Sequence, residues 1–370
     1  MRATTLKASP AGLAALVDYY AGLAADPLHR DGGGRGPIDY FLDPAEPAGR
    51  WWGEGRGALG LAGEVQPEQL EALFRARHPG HGRNLGRGFG ARSARAFDAT
   101  FSAPKSVSVL WALTSDPFMR AEVLASHDTA VSAALDWLEV HGGVTRRGRD
   151  GVHQVDTRGL VAAVFRQHTS RSADPQLHTH AIIAGKVQDP TGVWLSVDAR
   201  FLKRQQRTIG WIYAAALRTE LTTRLGVSWG PVTEGHADIV GVPATLLQEF
   251  SKRSEQVEAA LAERLAAWVE AHDGADPDPR TIYRLERTAV LDSRPDKEPV
   301  GDAEALRAEW CQRAAAAGVD TLELPSGQRQ VPGAVVEDRD AIITESLARA
   351  AASSSTWVAA DLACEIATMV

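Results

Sequence analysis

Asp174-Pro175-Gln176-Leu177-His178-Thr179-His180-Ala181-Ile182-Ile183-Ala184 is the stretch on which the reading of this chain turns. Its apolar run and its short alternation predict a β-strand over residues 177–187. Side chains two apart on a strand point to one face. His178 and His180 therefore bring two imidazoles to the same side, within reach of one metal ion. A tight site needs a third ligand. The preceding apolar strand, residues 159–168, ends in Gln167 and His168, and the loop 169–176 brings that end beside the histidine pair. The two point to opposite faces of a regular strand, so one of them serves.

Working outward, residues 2–7 read as a strand and 11–24 as a helix opened by Pro10. Residues 26–63 are a Gly/Pro/Trp-rich irregular insertion. Helices are predicted over 67–77, 107–113, 117–140, 200–225, 243–272 and 302–317. Further strands are predicted over 96–102 and 193–197, a hairpin over 144–156 around Asp150-Gly151, and a pair of strands within 227–240. Residues 273–280 read as a loop, and 359–370 as the start of a helix, which suggests the N-terminal part of a longer protein. The two cysteines, Cys311 and Cys364, exclude a disulfide scaffold and point to a reducing compartment. No signal peptide and no membrane-length apolar run is visible, so the expectation is a cytoplasmic protein without membrane insertion. No Gly-x-x-x-x-Gly-Lys loop occurs, so ATP hydrolysis is not expected of these residues.

Net charge is −7, but it is unevenly spread. Residues 1–210 carry 25 Lys and Arg against 21 Asp and Glu, whereas residues 211–370 carry 15 against 26. The basic part holds Arg75, Arg77, Arg83, Arg87, Arg92 and Arg95 with glycines between them and no acid. A mobile loop of that composition suits phosphate contacts. Residues 200–207 add a basic helix start.

Tyrosine is scarce, five in the chain, yet Tyr19, Tyr20 and Tyr40 fall in the first forty residues. A tyrosine hydroxyl beside a divalent ion can attack phosphorus and form a covalent phosphotyrosine; helix packing is the structural alternative for the pair. Asp98, in Phe97-Asp98-Ala-Thr-Phe-Ser-Ala-Pro-Lys-Ser-Val-Ser108, is a carboxylate in an otherwise apolar and hydroxylic strand and needs a partner. The N–H of a metal-bound histidine would supply one, as would a nearby arginine.

Four segments in order, Asp18-Tyr19-Tyr20, residues 97–108, Thr169-Ser-Arg171 through His180, and Phe250-Ser-Lys-Arg-Ser-Glu-Gln256, resemble the N-terminal relaxase domain of F-plasmid-type (MOBF class) conjugative relaxases, members of the HUH endonucleases. They span most of residues 1–260. Tyrosines precede histidines, the reverse of rolling-circle replication initiators. The resemblance implies an α+β fold: a central antiparallel, palm-like sheet flanked by helices, with C-terminal helical fingers closing over single-stranded DNA. It implies a catalytic core over 1–240, a helical lid over 241–330, and a linker with the start of a following, helicase-like region over 331–370.

The resemblance further implies metal-dependent nicking of transfer-origin DNA. Tyr19 would be the nucleophile and Tyr20 the second of the pair. Tyr40, single and later than the family's second pair, is the candidate for the terminating transfer. Asp98 would orient a metal-bound histidine. The family places its third histidine eleven residues before the first of the pair, where this chain has Gln167. Gln167 takes the ligand place, with His168 the alternative if a bulge turns it inward. An amide oxygen suits Mg²⁺ or Mn²⁺, and other divalent transition metals remain open. Arg75, Arg77, Arg83, Arg87, Lys105, Arg171, Lys203 and Arg204 would contact phosphates of single-stranded or hairpin DNA, with tryptophans stacking bases. Accessory and coupling proteins are the implied partners of a monomeric, cytoplasmic bacterial domain that is exported with the transferred strand. The alternatives are an origin-DNA-binding module weakened by the Gln167 change, a rolling-circle-type initiator, and a metallohydrolase of small phosphoesters.

Overall fold

Strand β1 (Arg2–Lys7) and the short β2 (Arg50–Trp52) are followed by helix α1 (Pro67–Phe74), β3 (Ala94–Ser102), and helices α2 (Lys105–Leu113) and α3 (Pro117–Gly142). A ribbon of β4 (Val144–Arg147) and β5 (His153–Asp156) leads to β6 (Ala162–Thr169), β7 (Pro175–Ala184), β8 (Lys186–Gln188), β9 (Trp194–Ser196) and helix α4 (Ala199–Leu225). Then come α5 (Ala244–Glu249), α6 (Lys252–Ala271), α7 (Pro279–Asp292), α8 (Ala303–Ala316), α9 (Arg339–Ser353) and α10 (Ala359–Met369). The computed structural model describes residues 2–7, 48–90, 93–170, 172–233, 235–292, 303–319, 322 and 339–369. Tyr19, Tyr20, Tyr40, Arg92 and Arg171 lie outside the described residues.

The main sheet runs β1-β3-β7-β6-β2, every pair antiparallel. This is the central antiparallel sheet that the family resemblance implies, with β7 in the middle. Its two faces bury different things. Phe97, Ala99 and Phe101 of β3, Leu177, Ala181 and Ile183 of β7, and Ala162 and Val164 of β6 pack against α2, α3 and α4 through Val107, Leu110, Leu135, Ile209 and Leu217. The opposite face presents Ala96, Ile182, Ala184, Ala163 and Phe165 to Leu70, Leu73 and Phe74 of α1 and to Leu85. Eight residues are too few for α1 to stand alone. Its three buried side chains, at about 1.5–3 kcal/mol each, hold it on the sheet.

The long helices start where the sequence offers caps. The Asp116 carboxylate accepts the Phe118 N–H, with Pro117 at the first helical position of α3. The Asp198 carboxylate accepts the Arg200 N–H at the start of α4, and Gly226, left-handed at φ 68°, ends that helix.

His127 of α3 ties three elements together behind β7. Its ring is fully buried. Nδ1 lies 2.9 Å from the Tyr213 hydroxyl of α4, and Nε2 lies 2.7 Å from Thr179 Oγ1 of β7. Burial first, and then the Arg166 guanidinium, push its pKa well below the ordinary 6.5. The folded state therefore keeps the ring neutral while the unfolded chain takes up a proton near pH 6.5. Below that pH the unfolded state binds more protons, so stability is lost as pH falls and is fully present above it. The slope from this one group reaches about 1.4 kcal/mol per pH unit. Urea midpoints at pH 7.5 and 5.5 should differ more for the parent than for His127→Gln, and equal differences would remove His127 from the account.

Several sequence expectations meet a different local structure. Residues 227–240 form isolated bridges, Trp229–Ile239 and Thr233–His236, without a strand ladder; Pro231 has no N–H to give one. The helix expected over 243–272 breaks into α5 and α6 at Phe250-Ser251, because Phe250 turns fully into the core. The stretch 273–280 ends in a helix start, α7, with Asp278 Oδ1 accepting the Thr281 N–H at 2.7 Å. The helix start read over 359–370 is α10, which packs along α4, where Arg218 Nη2 donates to the Ala367 carbonyl at 2.6 Å.

Helices α5, α6 and α8 anchor to the loop ahead of β7. Arg313 of α8 donates from Nη2 to Asp174 Oδ1 at 2.8 Å and from Nε to Glu249 Oε1 at 2.9 Å. Its guanidinium also covers the Phe250 ring at 4.7 Å. The Lys252 N–H, at the start of α6, donates to Asp174 Oδ2 at 3.1 Å, placing a carboxylate at a helix N-terminus. Trp310 Nε1 donates to the Ala173 carbonyl at 2.8 Å.

Candidate metal centre

The sheet face under α1 is apolar at one end and polar at the other. Along β7 it reads Ala184, Ile182, His180, His178; along β3, Ala96, Asp98, Thr100, Ser102; along β6, Ala163, Phe165, Gln167. Residues directly opposite on antiparallel strands share a face. Thr100 and Phe165 flank His180, and Ser102 and Gln167 flank His178. The two histidines thus sit in a layer supplied by three strands, almost wholly buried, at 6 % and 9 % exposure.

Hydrogen bonding fixes which nitrogen each ring presents. His180 Nδ1 lies 3.0 Å from both Asp98 oxygens, with Thr100 Oγ1 at 3.2 Å. His178 Nδ1 lies 2.8 Å from the Gln176 carbonyl. A carboxylate and a carbonyl accept only, so both Nδ1 atoms carry the proton and both Nε2 atoms hold the basic lone pair. The ring centroids are 5.1 Å apart. Asp98, read from sequence as a carboxylate in need of a partner, finds the histidine N–H.

The third donor follows from strand parity. Gln167, fully buried, stands opposite His178 on the histidine face. His168 points the other way, and its ring stacks on Trp111 of α2 at 4.6 Å and 21°. A bulge is present here, as the register shifts between Gln167 and Thr169. The extra residue belongs to β7, where Gln176 and Leu177 oppose His168, so the bulge does not turn His168 inward. Among the described residues no three His, Cys, Asp or Glu side chains group to hold a metal. Two imidazoles and one amide oxygen do fit a divalent ion, with the amide favouring a hard one.

The basic residues divide. Arg77, Arg83 and Arg87 are exposed on the loop after α1, on the histidine side of the sheet. Residues 85–89 of this loop pack on the sheet and on β8 and β9. Leu85 is buried, the Lys186 ammonium donates to the Arg87 carbonyl at 2.6 Å, and Lys186 and Arg95 flank the Phe89 ring. Gly86 packs on the Trp194 carbonyl so closely that a Cβ would lie 2.2 Å from its oxygen. Arg75 pairs with Glu71 at 2.7 Å, and Arg95 is buried with Nη1 on the Phe74 carbonyl at 2.7 Å. Lys105 turns inward to the Pro175 carbonyl at 2.9 Å. Burial lowers its pKa to about 8, and it secures the first residue of β7 instead of an exposed phosphate path. Lys203 and Arg204 are exposed on α4, whose apolar stripe packs on the other face of the sheet. Sequence reasoning missed Thr100, the Gln176 carbonyl and His127. The first was legible from its place two residues after Asp98 on the same strand.

The sequence matches the TrwC relaxase family over residues 14–317. The multifunctional conjugation protein TraI of Escherichia coli is 32% identical over 284 residues, 73% of this chain. The chain spans about 15% of the length of that curated relative. Among solved structures, conjugative relaxase TrwC in complex with origin DNA in a metal-free state is similar with a TM-score of 0.64 at 29% identity, covering 86% of this chain and all of that one. Its copper-bound counterpart gives 0.65 at 30% identity over 86% and 99% of the two chains. A histidine pair with its carboxylate on a five-stranded antiparallel sheet, four motifs in order and a match over most of the chain lead to one assignment: this chain belongs to the TrwC relaxase family.

Proposed function

We propose that this chain is the strand-cleaving domain of a conjugative relaxase, nicking one strand of transfer-origin DNA at a defined site by tyrosine transesterification. What supports the reading is the polar end of one sheet face, which His178, His180 and Gln167 share and where Asp98 lies within hydrogen-bond distance of His180. Tyr19 is the nucleophile. Its oxygen forms a bond to the scissile phosphorus as the P–O3′ bond breaks, giving a 5′-phosphotyrosyl link and a 3′-OH. The phenol loses one proton and the leaving oxygen gains one. One phosphodiester replaces another, so the step is close to balanced and can run backwards, as strand rejoining requires. Tyr20 or Tyr40 would serve the second transfer.

A divalent ion held by His178, His180 and Gln167, Mg²⁺ or Mn²⁺ by its donor set, would neutralise charge on the non-bridging phosphate oxygens. Solved TrwC structures include copper-bound and metal-bound states, which supports a divalent ion here. The protein's own part is to hold the two Nε2 lone pairs at fixed directions before the strand arrives. Arg77, Arg83 and Arg87, on the same side of the sheet, would bind the phosphates of the strand or its hairpin. TrwC has been solved with a 27-mer comprising the recognition hairpin and cleavage site, which supports such a substrate. Among the described residues no helix is long and apolar enough to cross a membrane. Action in the bacterial cytoplasm, with accessory and coupling proteins and export alongside the strand, completes the proposal.

The test is incubation of the protein with labelled origin-type single strands and Mn²⁺. A denaturant-resistant protein–DNA adduct that chelation prevents is the expected result. Tight binding with no adduct in Mg²⁺, Mn²⁺, Co²⁺, Ni²⁺ or Zn²⁺ would instead make this a docking module.

A further inference from the structure

A cleft of about 610 Å³ opens on the outer side of α4, lined by Lys203, Arg204, Arg207, Trp211, Gly235 and His236 among others. The inner stripe of α4, Leu202, Ile209, Tyr213 and Leu217, packs in the core shared with Phe101, Leu177 and Ala181. Those residues belong to the sheet face opposite His178 and His180. The cleft is therefore separated from the metal centre by the sheet and by the helix that forms its floor.

Its composition is specific. Lys203, Arg207 and Trp211 recur every four residues, so they form one row along the helix, about 12 Å from first to last. Arg204 stands beside that row. Among the described residues none of the three cations is held in an ion pair. Arg204 lies over Phe201 at 5.3 Å, and Arg207 lies near the Trp211 ring at 5.8 Å. Trp211 is fixed from one side by Gly235. The glycine has φ +84°, and a Cβ there would lie 3.0 Å from the indole carbons. A side chain at this position would crowd the ring and would have to adopt a left-handed backbone conformation that favours glycine. Two cations in a row with an indole, and a third cation beside them, form a pattern that binds single-stranded nucleic acid, phosphates on the charges and a base on the ring.

We propose that this cleft is a second single-stranded DNA site, which holds a stretch of strand away from the scissile phosphate. Lys203, Arg204 and Arg207 take its phosphates, and Trp211 and His236 take a base. The proposal rests on the reading of the chain as a protein that handles single-stranded DNA. An acidic peptide would use the cations but not the clamped indole.

The experiment uses the whole chain and a (dT)12 oligonucleotide carrying one 5-iodouracil. Irradiation followed by peptide mass spectrometry should place a crosslink on Trp211 or His236. A Lys203→Glu/Arg207→Glu variant, changed only at exposed positions, should lose that crosslink. Its (dT)12 affinity should fall about 10-fold or more, with a salt slope shallower by about 0.7 per lost phosphate contact. His178→Ala should keep the crosslink, which separates this site from the cleavage chemistry. Crosslinks confined to the histidine side, with an unchanged salt slope in the double variant, would overturn the proposal. Displacement of (dT)12 by poly-glutamate at equal charge would assign the cleft to acidic protein instead. A Trp211 crosslink in a protein that forms no covalent adduct would leave this site standing and remove the nicking function.

Discussion

Tyr19→Phe should abolish the covalent protein–DNA adduct while leaving origin-strand affinity within about twofold of the parent. A phenyl ring fills the same space but has no oxygen to bond phosphorus. Removing the nucleophile of a covalent enzyme costs on the order of 10⁶ in rate, which puts residual adduct below detection on a denaturing gel. Tyr20→Phe should still form the adduct, because the first strand needs one hydroxyl and the proposed function gives that role to Tyr19. Single variants of both tyrosines, assayed with the same labelled strand and Mn²⁺, give a clean decision. An adduct that survives Tyr19→Phe and disappears in Tyr20→Phe would exchange the two roles. An adduct lost only in the double variant would make either hydroxyl competent.

The second large effect concerns the metal. His180→Ala removes one of two imidazoles, and calorimetry with Mn²⁺ should then show no binding in the range where the parent saturates. Asp98→Asn keeps an acceptor for His180 Nδ1 but loses the charge that makes the ring a stronger donor to metal. Partners of that kind are worth about 10–100-fold in affinity. Gln167→His should act in the opposite direction. It adds a third imidazole opposite His178, tightening the site and widening its acceptance towards Zn²⁺, Co²⁺ and Cu²⁺. His168→Ala should change metal affinity little, since its ring lies on Trp111. Metal loss in His168→Ala with none in Gln167→Ala would reverse the ligand assignment.

The period-two pattern made much of this site readable. It put His178 and His180 on one face and set Gln167 and His168 on opposite faces; the family resemblance singled out Gln167, and the strand register places Gln167 opposite His178. Asp98 was readable as a buried carboxylate in need of a donor. Less readable were features that depend on what packs against a segment. Glycine and arginine dominate the arginine-rich loop and hide the packing of Leu85 and Phe89, two isolated apolar residues within it. The helix over 243–272 has unbroken periodicity, and its break comes from Phe250 entering the core. The start of α7 did carry a signal, Asp278 followed by Pro279, an N-cap with proline at the first helical position. His127 lies on the buried stripe of α3 with Val123, Ala130 and Val131, but its partners Thr179 and Tyr213 are distant in sequence and only the fold brings them together.

Asp174 accepts from Arg313 of α8 and from the backbone at the start of α6, and it stands four residues before His178. Asp174 therefore fastens α8 and the start of α6 to the strand that carries the histidine pair. Traction on α6 or α8 enters the core at the foot of β7, four residues from His178.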